Sequence, residues 1–299
     1  MRIGLISDVH SNYHALKAVL DFLNDKIDVL ICSGDFVGYG PSPGKCIDSL
    51  IDFPIPHYYC VGNHDLGVRL SYSLMNNLPS KQDTKILSHF SFRNGADEMI
   101  TRNATELREM HYYFLLNLPY KRIFQLNAFD IYLTHGTPSK RRIENVGKYL
   151  FPPPILSYDV ILNRISKDKH ANNAKIIIVG HSHQRFIIER TKRSYWSLID
   201  DIINKKQIEF PLTFSLKQKK VIINPGSVGQ SRDGTGNASF AIINLNTQEI
   251  KFHDLNYPRE EFSKLVWQKC PPEIQGTNFW SNRFGSFSKQ VQKDMNDSQ

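Results

Sequence analysis

Over residues 2–61 the chain alternates short apolar runs with helical spacing, and that alternation restricts the fold more than any other feature. Residues 2–7, 28–32 and 57–61 are apolar runs of strand length. Between the first two, Leu16, Val19, Leu20 and Leu23 recur at the three-and-four spacing of a helix, which is expected over 13–24. A second helix is expected over 44–52. Strand, helix, strand, helix, strand implies crossover connections, so the three strands form a parallel core sheet of an α/β fold.

The remainder reads differently. Helical stretches are expected near 84–94 and 105–117, the second closed by Pro119. A β-hairpin is expected over 121–126 and 129–134, turning at Asn127-Ala128, then a helix at 157–168. Strands follow at 175–179, 185–191, 219–223, 238–244 and 249–254, and a helix near 258–269. Many short strands joined by turns imply a second sheet stacked on the first. The expected fold class is α/β: two stacked mixed β-sheets flanked by helices, in one domain over 1–255. Within it, 192–218 reads as an inserted helix and strand or as a loop. Residues 256–299 read as a C-terminal helix and a loosely attached tail, rich in Ser, Asn, Gln and Lys, in which Phe279, Trp280, Phe284 and Phe287 call for partial docking. A length of 299 residues and 40% apolar composition suffice for a sizeable core.

Composition narrows the setting. The apolar stretch after Met1 is too short for a signal peptide, and no run approaches the ~20 apolar residues that span a bilayer, so no membrane is expected. Cys32, Cys46, Cys60 and Cys270 form neither a C-x-x-C pair nor a disulfide framework, which fits a reducing cytoplasm. The net charge of +8 suits anionic partners, a small phosphorylated substrate or nucleic acid, without requiring either.

The chemistry lies where the apolar runs end. Asp8-Val9-His10 follows the first, Gly34-Asp35 the second and Gly62-Asn63-His64-Asp65 the third. Thr134-His135-Gly136 closes the strand at 129–134, and Gly180-His181-Ser182-His183 the strand at 175–179. Taken alone, each is satisfied by a turn, a helix cap or a core histidine. Together they differ, because carboxyl ends of parallel strands converge on one crevice. Carboxylates, imidazoles and one amide carbonyl suit Mn, Fe, Zn or Co, and seven such groups are enough for two ions sharing a carboxylate.

In order and content these motifs resemble the calcineurin-like metallophosphoesterase superfamily: Asp-x-His, Gly-Asp, Gly-Asn-His-Asp, His and Gly-His-x-His. Gly34–Pro43 and Asn224–Gly234 are further similar to bacterial and archaeal small phosphoesterases related to diadenosine tetraphosphatases. The resemblance implies a four-layer α/β/β/α sandwich and a phosphoric ester hydrolase with two divalent ions, manganese favoured. One ion would be held by Asp8, His10, Asp35 and His183, the other by Asp35, Asn63, His135 and His181, with Asp35 bridging. A metal-bridging hydroxide would attack phosphorus. His64 would protonate the leaving oxygen or bind phosphate, and Asp65 would orient His64. Gly226, Ser227, Arg232 and Tyr39 are candidate substrate contacts: donors for the first two, a terminal-phosphate ligand, and a base-stacking ring or plain wall.

The implied substrate is small and nucleotide-like, cleaved at a phosphodiester or phosphoanhydride bond. A nuclease or cyclic nucleotide phosphodiesterase is the enzymatic alternative, with 185–196 as the basic stretch that favours it. A metal-binding scaffold without catalysis, as in the retromer subunit of this superfamily, is the other. Protein phosphatases of the superfamily carry an Arg soon after Gly-Asp and a Gly-Asn-His-Glu motif, and this chain has neither.

Overall fold

β1 (Arg2–Ile6), β2 (Val29–Cys32) and β3 (His57–Tyr59) lie side by side and parallel, joined by α1 (Tyr13–Leu23) and α2 (Pro43–Ile51). Asn12 caps α1 by accepting the Ala15 N–H, and Pro43 opens α2 where its missing donor does no harm. The computed structural model describes residues 1–78, 96–217 and 219–269. The helix expected over 84–94 and the tail at 271–299 lie outside the described residues.

The other described elements are α3 (Asn63–Met75), α4 (Ala96–Thr105), α5 (Glu109–Asn117), β4 (Lys121–Leu126), β5 (Phe129–Thr134), α6 (Arg142–Gly147), α7 (Tyr158–Ser166), α8 (Lys169–Asn173), β6 (Ile176–Ile178), β7 (Arg185–Glu189), β8 (Ser194–Ser197), α9 (Leu198–Ile203), β9 (Leu212–Ser215), β10 (Val221–Pro225), β11 (Ala238–Asn244), β12 (Glu249–Leu255) and α10 (Arg259–Lys269). They build two six-stranded sheets, ordered β3-β2-β1-β11-β12-β9 and β4-β5-β6-β10-β7-β8. In the first, β11 pairs antiparallel with β1; in the second, β5, β6 and β10 run parallel.

Burial on three levels makes four layers. Ile3, Leu5, Val29 and Ile31 of the first sheet meet Ile131, Leu133, Ile176, Ile178 and Ile223 of the second. Alternate residues of the same strands point outward: Ile6, Leu30 and Phe240 under α1 and α2, and Tyr132 and Ile177 under α7 and α8. Period-two alternation with apolar residues on both faces is what a sheet covered on both sides requires. No helix among the described residues is long and apolar enough to cross a membrane.

The helices depart from expectation at three points. The helix expected over 105–117 begins only at Glu109, and Ala96–Thr105 before it is a separate helix. Arg108 is extended (φ −90°, ψ 162°) and its N–H donates to His111 Nδ1 at 3.0 Å, so the chain breaks and restarts with an uncommon cap. α3 carries no apolar stripe to read, because Asn63 through Leu70 are buried on every side. The helix expected over 157–168 stops at Ser166, and Asp168 caps α8 by accepting the His170 N–H at 3.0 Å. The stretch 192–218 supplies an edge strand to each sheet: β8 pairs with β7 and β9 with β12. Trp196 packs at 4.7 Å from Phe214 and 5.0 Å from Phe252, closing one side of the sandwich.

Candidate metal centre

All the strands that carry candidate ligands end on one rim. β1, β2 and β3 deliver Asp8, His10, Asp35 and Asn63; β5 and β6 deliver His135, His181 and His183. The sheets are stitched together there. His135 Nδ1 donates to Ser33 O at 2.6 Å, Val228 N to Ser7 O at 2.9 Å, and the His181 N–H to Asp8 Oδ2 at 3.1 Å. Two glycines permit the approach: a Cβ on Gly62 would meet Asp35 Oδ1 at 2.0 Å, and one on Gly180 would meet Ser7 Oγ at 2.0 Å.

The backbone is strained at this rim. Asp8 (φ 52°), His10 (48°), Asp35 (55°), His181 (66°) and His183 (58°) are all left-handed. Such conformations disfavour non-glycine residues and persist where surrounding structure over-determines them. Here they swing five side chains into a space that an extended strand end would not reach.

The ligand atoms face one another. His183 Nε2 lies 3.3 Å from Asp8 Oδ1 and 3.1 Å from His10 Nε2. His135 Nε2 lies 3.2 Å from Asp35 Oδ2 and 3.1 Å from Asn63 Oδ1. Among the described residues, three sets bring their donor atoms within 4.8 Å of one another: Asp8/His10/His183, His10/Asp35/His64 and Asp35/His135/His181. His183 Nδ1 and His135 Nδ1 are hydrogen bonded to backbone carbonyls, Gln230 O at 2.7 Å and Ser33 O at 2.6 Å. With the proton on Nδ1, a neutral ring turns its Nε2 lone pair inward, which is how a metal-binding histidine is oriented. Lone pairs and carboxylate oxygens then converge on one another, and a cation resolves the conflict. Two ligands at ~2.1 Å from an ion and about 90° apart sit about 3.0 Å from each other, close to the spacings found.

Electrostatics agrees. Burial holds the His10, His181 and His183 rings well below their ordinary pKa, in the neutral form that binds metal. His181 Nε2 is buried with no hydrogen-bond partner. Burial pushes Asp8 up to about 7, with the Asp35 charge adding to it. Asp35 is raised by burial but held below the usual carboxylate range by the His135 and His64 rings. Burial depresses His135, yet Asp35 more than reverses this, to about 9. The space between Asp35 and His135 demands positive charge, a proton or a metal ion.

Asp35 has the geometry of a shared ligand. Its Oδ1 accepts the His64 N–H at 2.8 Å. Its Oδ2 is 3.6 Å from His10 Nε2 and 3.2 Å from His135 Nε2, so one oxygen faces both halves of the cluster.

The remaining candidates divide. His64 is buried beside the cluster, its ring 4.8 Å from His10 and 4.3 Å from Tyr39. Asp65 does not orient it through a hydrogen bond of the expected kind. Its Oδ1 accepts Phe36 N and Val37 N, its Oδ2 accepts Asp35 N and Gly62 N, at 2.7–3.1 Å, and two bonds per oxygen leave no lone pair over. Asp65 therefore holds the loop that carries Asp35. Tyr39 is 5% exposed, wedged against His10 and His64, a wall rather than a stacking face. The Gly226 N–H donates to Asn224 Oδ1, and the buried Ser227 hydroxyl donates to Asp8 O at 2.7 Å while accepting Gln230 N. The Ser227 hydroxyl thus supports the Asp8 loop, and it and the Gly226 N–H are spent within the protein. Arg232 is half-buried, and its charge acts on Asp8, His10, His181 and His183 together.

Two positioning residues escaped sequence reasoning. Asn103, 1% exposed on α4, accepts from Ser11 Oγ and Gly38 N and donates to Gly40 O, tying the turn after His10 to the loop after Asp35. Arg185, fully buried at the start of β7, pairs with Asp233 at 2.6 Å and Asp254 at 2.8 Å beneath the Phe210 ring. Asp233 belongs to the loop whose Gln230 carbonyl orients His183. No local motif marks Asn103. A basic residue two positions past Gly-His-x-His was the available signal for Arg185.

A family model described as the calcineurin-like phosphoesterase superfamily domain matches residues 1–248. Uncharacterized protein MJ0912 of Methanocaldococcus jannaschii is 29% identical over 271 residues, 90% of this chain and 93% of that protein. A symmetrical bis(5'-nucleosyl)-tetraphosphatase of Buchnera aphidicola is 40% identical over 75 residues, 24% of this chain and 28% of that protein. The crystal structure of a metallophosphoesterase from Sphaerobacter thermophilus superposes with a TM-score of 0.67 at 25% identity, over 93% of this chain and 98% of that one.

Proposed function

The chain belongs to the calcineurin-like phosphoesterase superfamily, and we propose that it is a dinuclear-metal hydrolase of small, nucleotide-like phosphodiesters or phosphoanhydrides. The observation that carries this reading is Asp35 Oδ2, which faces His10 on one side and His135 on the other. Asp8, His10, Asp35 and His183 would hold one ion, and Asp35, Asn63, His135 and His181 the second, with manganese favoured among Mn, Fe, Zn and Co. Two such ions neutralise phosphate oxygens and supply an activated water for in-line attack.

The chain's own groups complete the site. Asp35 Oδ1 accepts the His64 N–H, and Asp8 accepts the Ser7 hydroxyl on Oδ2 and the His181 N–H across both oxygens, which fixes the direction of each carboxylate. Arg232 offers a positive charge to a phosphate oxygen at the rim. His64 sits at the His10 end, where protonated it would donate to the departing oxygen. Tyr39 and the buried loops around it keep bulk water from that end. The tetraphosphatase relative favours a nucleotide-like substrate for this chain, and the free buried thiols Cys32, Cys46 and Cys60 suit a reducing cytoplasm.

The test is turnover with added Mn on bis-p-nitrophenyl phosphate, p-nitrophenyl phosphate, diadenosine tetraphosphate and single-stranded DNA. Cleavage of the diester and the dinucleotide is expected. Preference for DNA would install the nuclease reading. No turnover on any of the four would leave a metal-binding scaffold.

A further inference from the structure

The loop after β10 turns back on the metal centre at His183. Gln230 makes three contacts there, divided between backbone and side chain. Its carbonyl accepts His183 Nδ1 at 2.7 Å. Its N–H donates to Ser227 Oγ at 2.7 Å, and that hydroxyl donates to Asp8 O. Its side-chain Oε1 accepts Arg232 Nη2 at 3.0 Å. The backbone of Gln230 thus serves the candidate ligands, and its side chain serves the arginine.

Arg232 is placed beside the same ligand. Its N–H donates to His183 O at 3.2 Å, and the residue is half-buried. Among the described residues its guanidinium makes no ion pair, so the Gln230 amide holds it without neutralising it. That charge bears on Asp8, His10 and His183 of one proposed ion and on His181 of the other. Beside two divalent ions such a charge is repelled, and a phosphate anion bound among the three relieves the repulsion.

Gln230 itself carries a cost. It is 2% exposed, and its Nε2 is buried with no hydrogen-bond partner. An unpaired buried donor is destabilising, and an apolar side chain of the same length would avoid it. A glutamate would accept the same bond from Arg232 but cancel its charge. Among side chains of this reach, glutamine is the neutral one with a carbonyl acceptor.

We propose that Gln230 is a positioning residue whose Oε1 holds the Arg232 guanidinium, still charged, where a phosphate oxygen of the substrate meets it. The side chain acts on the substrate through Arg232, while the carbonyl orients His183 whatever the side chain. This role rests on the hydrolase reading above, which gives Arg232 its phosphate, and adds what aims it.

The experiment is a double-mutant cycle read by phosphate binding. Inorganic phosphate is titrated calorimetrically into the Mn-loaded full chain, for wild type, Arg232→Met, Gln230→Met, Gln230→Glu and the double methionine variant. Metal content, melting temperature and turnover of bis-p-nitrophenyl phosphate are measured for each. Arg232→Met should weaken phosphate about tenfold or more, the range for one charge-assisted hydrogen bond. Gln230→Met should lose about three- to tenfold, the range for a neutral one, with metal content held because the backbone bonds remain. The double variant should match Arg232→Met, since Gln230 then has no guanidinium to hold. Gln230→Glu keeps the shape and the bond but pairs the charge, so it should weaken phosphate about as much as Arg232→Met. Unchanged phosphate affinity in Gln230→Met or Gln230→Glu overturns the proposal. So do losses that multiply in the double variant, and so does loss of manganese in Gln230→Met, which would tie the side chain to His183 instead. A wild type that binds phosphate without turning over bis-p-nitrophenyl phosphate removes the hydrolase reading, and the phosphate cycle still decides the role of Gln230.

Discussion

Replacing Arg185 by methionine keeps an unbranched side chain of similar reach and deletes the charge. In the native protein Nε donates to Asp233 Oδ2 at 2.6 Å, Nη2 pairs with Asp254 at 2.8 Å and donates to Thr235 Oγ1 at 3.0 Å, and Nη1 donates to His253 O at 3.1 Å. The side chains of Arg185 and Asp233 are both 0% exposed, and that of Asp254 is 10% exposed. Methionine leaves the buried Asp233 carboxylate and the nearly buried Asp254 carboxylate without the cation that both pair with. Breaking a buried ion pair by removing one partner costs about 3–5 kcal/mol, and the second acid places this case toward the upper end. At ~2 °C per kcal/mol for a chain of this size, the melting temperature should fall by roughly 6–10 °C. The same loss loosens the loop whose Gln230 carbonyl fixes His183 Nδ1, so manganese affinity should drop about 10–100-fold. Thermal melting and metal titration read the two effects. If an uncompensated charge is the cause, adding Asp233→Asn to Arg185→Met should recover a large part of the loss, a coupling of about 2–3 kcal/mol. A single variant within about 1 kcal/mol of wild type, or a double variant that is simply additive, refutes the reasoning.

His64→Ala should lower kcat by roughly 10²–10⁴-fold with both metals retained by elemental analysis. The loss should be smaller on p-nitrophenyl esters, whose leaving group needs little protonation; an equal loss on alkyl and aryl esters would remove His64 as the proton donor. His253, stacked 4.9 Å from Phe240, is held at about 4 by burial, with Lys251 and Lys26 adding to it. The unfolded chain takes up this proton near pH 6.5 while the folded chain resists until about 4, so stability falls as pH drops through that window and is unaffected above it. Discounted for partial exposure, the effect is about 1–2 kcal/mol. His253→Phe should remove it from urea midpoints measured between pH 7 and 4, and an unchanged slope would count against the assignment.

The sequence by itself determined the strand-ending chemistry. Asp8, His10, Asp35, Asn63, His135, His181 and His183 each stand just past an apolar run, and adjacency in sequence suffices to place them at strand ends. It also pointed to the layering, because a continuous apolar run such as Ile176–Ile178 puts apolar side chains on both faces of its strand. What it did not determine is anything that depends on segments meeting across the fold. Asp65 lies beside His64 in sequence, yet its carboxylate turns to four backbone N–H groups from two loops. Ser227 was a candidate donor and became a strut, because β10 brings it under Asp8. Helix α3 was hidden because burial on all sides erases the stripe that periodicity detects. Asn103 carries no motif at all, and Arg185 only its place two residues after Gly-His-x-His. Their roles come from partners that are distant in sequence, such as Asp254 for Arg185 and Gly38 for Asn103. Local spacing encodes which groups can bind a cation; only the close packing of two sheets, with left-handed backbone at the rim, decides which of their atoms converge and what holds them there.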